Sequence, residues 1–113
     1  MNVAKGQCVR VVPSKVRAGA LEDWLAAHRK HHSPAVRRQP GFVSKVLMRA
    51  EDDPTQVAML LVWESSAQAV AWTKQPEHDV VSEPMRPFTD TSSGRVSAMP
   101  RGGWTVLEVV LPA

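Results

Sequence analysis

A chain of 113 residues, 43% hydrophobic and 22% charged, has ordinary globular composition and room for one core rather than two. Its longest apolar run, Val57 to Trp63, is far shorter than the ~20 residues of a membrane span, and the first six residues carry no apolar stretch of the secretory kind. The formal charge is only +3, and the basic residues Arg29, Lys30, Arg37 and Arg38 have no aromatic residues among them, which argues against a nucleic-acid surface.

Cys8 is the lone cysteine, so no internal disulfide is expected and a reducing, cytoplasmic setting fits best. One domain is expected over 1–113, with its core over about 7–111.

Gln7 to Val12 predicts a first strand, closed by Pro13. Gly19 opens a helix in which Leu21, Trp24, Leu25, His28 and His32 recur at three- and four-residue spacing and share one face. Glu22 and Asp23 in its first turn, and Arg29 and Lys30 near its last, suit the helix dipole. Pro34 ends this helix, or kinks it before a short turn through Arg38.

Pro40-Gly41 marks a turn. Phe42 to Arg49 reads as a second strand, with Phe42, Ser44, Val46 and Met48 on one face and Val43, Lys45, Leu47 and Arg49 on the other. Glu51-Asp52-Asp53-Pro54 is a hairpin-type loop. Val57 to Trp63 follows as a third strand, apolar on both faces and so expected to be covered on both. Ser65 or Ser66 caps a second helix that runs through Trp72 until Pro76 interrupts it. Residues 77–85 predict a further short helix, residues 84–103 are the least regular, and Trp104 to Leu111 forms the last strand.

The order is β-α-β-β-α-β, an α+β, ferredoxin-like arrangement with an antiparallel sheet. Its helices cover one face, which leaves the row Ala58, Leu60 and Val62 in need of a cover. A homodimer packed through the open sheet face supplies one; the chain's own C-terminal segment folded across it is the alternative.

His28, His31 and His32 form an H-x-x-H-H cluster without a nearby acidic partner and without an H-E-x-x-H pattern, so no metal is expected. His28 or His32, continuing the inward face of Trp24, reaches a cavity and serves as a general base near neutral pH. The bland alternative is a set of polar, partly exposed histidines at a helix end.

Three segments carry a family likeness: Gly19-Ala20-Leu21-Glu22-Asp23-Trp24, Gln39-Pro40-Gly41-Phe42, and Val62-Trp63-Glu64-Ser65 with Trp72 nine residues after Trp63. In order and spacing they resemble the antibiotic biosynthesis monooxygenase family, of the dimeric α+β barrel type, over roughly Val9 to His78. The resemblance implies oxidation of an aromatic, polyketide-like small molecule by molecular oxygen, with no cofactor. An electron-rich hydroxyarene, once deprotonated, can itself reduce oxygen. The protein then binds a flat ring, moves a proton and stabilises an anion.

It also implies Trp63 and Trp72 as pocket-wall groups. With His28 or His32 from the inward helical face they make the expected catalytic set, and Trp24, Phe42, Met59, Ala69, His78 and Arg86 are the expected substrate contacts. Met59 stands where an asparagine would bind a substrate oxygen and Ala69 where relatives often carry an aromatic residue; the charge of Arg86 suits it to orient an anionic oxygen. The chain has no tyrosine, so any phenolic proton relay must be replaced.

A non-oxidative ligand-binding module or cyclase on the same dimeric fold is the alternative. Haem degradation is a third reading. It is weakened because residues 8–12 contain no asparagine and Ser82, not histidine, stands ten residues after Trp72, with His78 four residues too early.

Overall fold

The computed structural model describes residues 3–92 and 102–113. Strand β1 (Cys8–Lys15) leads into α1 (Leu21–Ala27), a π-helical turn (His28–His32) and α2 (Ser33–Val36). The hairpin β2 (Phe42–Ala50) and β3 (Gln56–Trp63) follows. Next come α3 (Ser66–Thr73), α4 (Pro76–Ser82), a 3-10 turn (Glu83–Phe88) and β4 (Trp104–Val110). The four strands stand in the order β1-β3-β2-β4, each antiparallel to its neighbours. β1 and β2 therefore run parallel with β3 between them, the split β-α-β connection of an α+β, ferredoxin-like fold.

Local chemistry explains most of the boundaries. Gly41, at φ +83°, makes the turn into β2. The Ser65 hydroxyl accepts from the Gln68 N–H and starts α3. Pro76 lies in the first turn of α4, where its missing N–H is not needed.

Two details depart from expectation, and a third decides between the two readings at Pro34. β1 does not close at Pro13 but continues through it to Lys15, with Pro13 opposite Ala58. The strand is at the sheet edge, so an absent N–H on its outer side leaves no ladder bond unmade. Phe42 does not share a face with Ser44, because the pairing with β3 slips between them: Phe42 lies opposite Trp63 and Ser44 opposite Val62. The bulge at Val43 turns Phe42 toward the helices. The first helix passes Pro34 by widening into the π turn, in which the Ser33 N–H reaches back five residues to the His28 carbonyl.

Helices cover one sheet face in two apolar clusters. One gathers Trp24, Leu25, Leu47, Val57 and Met85; the other gathers Val36, Phe42, Leu61, Trp63, Ala69 and Trp72. Met59 packs against both. On the far face Ala58 and Val62 are already buried within the chain and Leu60 is half-buried, so most of the exposed apolar surface does not lie on the expected row. It lies on the flanking strands, at Val9, Val11, Val106 and Val109, which are 42–56% exposed. Of the irregular segment, the part up to Phe88 is helical, and residues 93–101 lie outside the described residues, as does part of the proposed C-terminal cover. Among the described residues no helix is long and apolar enough to cross a membrane.

Candidate functional site

A cavity of about 760 Å³ opens between the helices and the β1 side of the sheet. Val12, Met59, Trp24 and Met85 supply apolar wall, His28 and His32 supply polar wall, and Arg17, Glu83 and Arg86 also line it. Arg17 Nε donates to the Pro87 carbonyl at 3.1 Å, which ties the end of β1 to the 3-10 turn on this side. Arg86 is mostly exposed and pairs with Glu83 at 2.9 Å.

Behind the two histidines lies a lysine. Lys45 is fully buried, and its Nζ lies 2.9 Å from His28 Nδ1, 2.8 Å from His32 Nδ1 and 2.8 Å from Ser33 Oγ. Its stem comes from the middle of β2, opposite Leu61. The three acceptors come from the π turn and the first residue of α2. In a regular α-helix residues five apart lie about 140° around the axis. His28 and Ser33 could not then meet one ammonium; the widened turn brings them together.

Burial pushes the Lys45 ammonium down from 10.5 to about 7, with the Glu108 carboxylate opposing. Glu108 is engaged by Arg29 at 3.3 Å. Burial, and then the Lys45 charge, hold His28 down at about 2; the same two causes hold His32 at about 3. Both rings are therefore neutral at neutral pH. With each Nδ1 accepting from a charged Lys45, the ring proton of each sits on Nε2.

The rings belong to a longer edge-to-face series. Trp24 and His28 are 4.4 Å apart between centroids, His28 and His32 5.5 Å, His32 and Trp72 6.3 Å, and Trp72 and His78 5.5 Å. The polar cluster is thus the seam between the two apolar clusters, with Trp24 on one side and Trp72 on the other. The Trp72 indole N–H is buried without a partner among the described residues.

Of the residues the sequence singled out, His28, His32, Trp24, Met59 and Arg86 meet at the cavity. Trp63, Phe42 and Ala69 pack in the core cluster around Val36 and do not line it. Trp72 does not line the cavity but packs edge-to-face on His32 of its polar wall, and His78 stands beyond it, bonded to Asp79 at 2.9 Å. His31 takes no part in the Lys45 cluster. Among the described residues, no three His, Cys, Asp or Glu side chains gather as metal ligands.

Sequence reasoning missed Lys45 and Ser33. One signal for Lys45 was available: strict alternation along β2 places it on the face of Leu47, an inward position that a lysine occupies only when its charge has partners. Nothing in the sequence marked the π turn that supplies them.

The antibiotic biosynthesis monooxygenase family profile matches residues 9–83 of this chain. Protein SchA of Streptomyces halstedii is 32% identical over 101 residues, which is 88% of this chain and 26% of that protein. The 42.8 kDa protein in the whiE locus of Streptomyces coelicolor is 34% identical over 96 residues, 83% of this chain and 24% of that one. The chain thus spans about a quarter of the length of these relatives. Among solved structures, a conserved protein from Methanosarcina mazei Go1 superposes with a TM-score of 0.60 at 8% identity, over 95% of this chain and 91% of that one. A Chloroflexus aurantiacus protein described as a candidate antibiotic biosynthesis monooxygenase gives 0.58 at 18% identity, over 91% and 94%. These two likenesses concern the fold alone. A small α+β protein with a helix-covered cavity is the class that sheet and site define. Within that class this chain belongs to the antibiotic biosynthesis monooxygenase family.

Proposed function

We propose that this chain binds a planar, polyketide-like hydroxyarene in the cavity and promotes its oxidation by molecular oxygen without a bound cofactor. The observation that carries the reading is the cavity itself. At about 760 Å³ it lies within the 300–1,000 Å³ usual for small-molecule sites, and it combines an apolar wall of Trp24, Met59 and Met85 with two neutral imidazoles. Trp24 offers an aromatic surface to a flat ring, His28 and His32 handle the hydroxyl proton, and Arg86 attracts the anion near the exposed rim. Incubation with 9-anthrone under air tests it: oxygen uptake should match quinone formation and exceed the protein-free rate. Equal rates with and without protein sink the oxidative reading.

A second reading, a non-oxidative binding module or cyclase, is favoured by one observation. Trp63 and Trp72, the tryptophans expected as pocket walls, do not line the cavity. Quenching of tryptophan fluorescence by a hydroxyarene, with no oxygen consumed, would select this reading over the first. Under either, we propose a homodimer through the open sheet face, supported by the exposed Val9, Val11, Val106 and Val109.

A further inference from the structure

We propose that Lys45 is the proton acceptor of this cavity, reached only through His28 and His32, and that the two imidazoles then hold the anion the transfer leaves. The inference rests on the hydroxyarene reading above and adds the class of ligand: planar arenes whose hydroxyl is acidic.

The geometry places a proton store behind a wall. Lys45 is fully buried and does not line the cavity, whereas the two rings that touch its Nζ do. Three contacts satisfy this nitrogen in either state. As an ammonium it donates to both Nδ1 atoms and to Ser33 Oγ. As an amine it donates two of these bonds and accepts the third from one ring's Nδ1–H. That ring then offers a bare Nε2 to the cavity.

Proton transfer follows with nothing left over. The hydroxyl proton of the ligand moves to Nε2, and the Nδ1 proton moves to Lys45 Nζ. The ring finishes neutral as its other tautomer, Lys45 finishes as an ammonium, and the ligand finishes as an oxyanion facing Nε2–H donors. A histidine acting alone cannot do this, because burial and the neighbouring cation keep both rings from holding a second proton at neutral pH. An amine that titrates near 7 can. The charged and titratable groups around the store are His28 and His32 from the π turn and Glu108 from β4, with Arg29 on Glu108 and His78 beyond His32. Lys45 therefore acts through the imidazoles as a positioning residue and proton store.

Two dyes that differ in their hydroxyls test this. Alizarin is a flat dihydroxyanthraquinone that changes colour on ionisation; 9,10-anthraquinone has the same rings and no hydroxyl. The unaltered protein should bind both, and bound alizarin should ionise at least about one pH unit below the free dye. Lys45→Met should still bind anthraquinone, while its bound alizarin ionises at or above the free value. In the unaltered protein, one of the five lysines should titrate near neutral pH by carbon NMR and shift upward when alizarin binds. If Lys45→Met does not fold, that titration decides alone. Binding of anthraquinone with an unshifted alizarin, an alizarin shift that survives in Lys45→Met, or five lysines that all titrate normally overturns the proposal and leaves the cavity reading standing. Failure to bind either dye removes the cavity reading and this inference with it.

Discussion

Acid should unfold this protein through two histidines. His28 and His32 are 3% and 2% exposed and are held down from 6.5 to about 2 and about 3. In the unfolded chain both take up a proton below about pH 6.5; in the folded chain neither does until far lower. The unfolded state therefore binds more protons throughout that window, so the contribution of the two histidines is full above pH 6.5 and drains away as the pH falls. Each pH unit is worth about 1.4 kcal/mol per group, so between pH 6.5 and 5 the two histidines together remove about 4 kcal/mol. Lys45 has the same sign in a higher window: stability rises further between about 7 and 10.5.

A loss of about 4 kcal/mol is a large share of the 5–15 kcal/mol that holds most domains together. With a urea slope of about 2 kcal/mol per molar, the unfolding midpoint should drop by about 2 M from pH 7 to pH 5. Urea titrations followed by the fluorescence of the four tryptophans measure it. His32→Gln supplies the control, because its amide oxygen still accepts from Lys45 but cannot titrate. Its acid sensitivity should be about half that of the parent. A midpoint that stays level from pH 7 to 5, or a His32→Gln variant as acid-sensitive as the parent, refutes the reasoning.

Other substitutions probe the scaffold. Leu47→Ala, at a fully buried position, should cost about 2–5 kcal/mol in the same urea assay. Ser65→Ala removes the cap of α3 and should cost about 1 kcal/mol. Gly41→Ala should lower the melting temperature by the equivalent of about 1–2 kcal/mol or more, since φ is +83° and a Cβ there runs into the Gln68 side chain. Val109→Lys, on the open sheet face, should leave the monomer folded and weaken self-association in analytical ultracentrifugation; unchanged association would move the dimer contact elsewhere.

Most of the fold was legible in the chain. Alternation and apolar runs marked β2 and β3, Ser65 marked the start of α3, and the three-and-four spacing from Leu21 to His32 marked one inward helical face. These signals are local: they depend on backbone period and on polar atoms a few residues away. The same periodicity put His28, His32 and Trp24 on one helical face, and in the structure all three line the cavity. It misled at Phe42, where a single bulge reversed the phase of the strand, and at Pro13, where only the strand's place at the sheet edge makes proline harmless.

The character of the site was decided in three dimensions. Trp63 and Trp72 look alike in sequence whether they wall a pocket or fill a core, because burial against protein and burial against a ligand ask for the same side chain. Lys45 is an ordinary strand lysine until the sheet sets it beneath a π turn, where two imidazoles and a hydroxyl replace water around its charge. Residue pattern determines which faces turn inward. Only packing determines which charges are stripped of water, and that loss is what shifts their proton affinities.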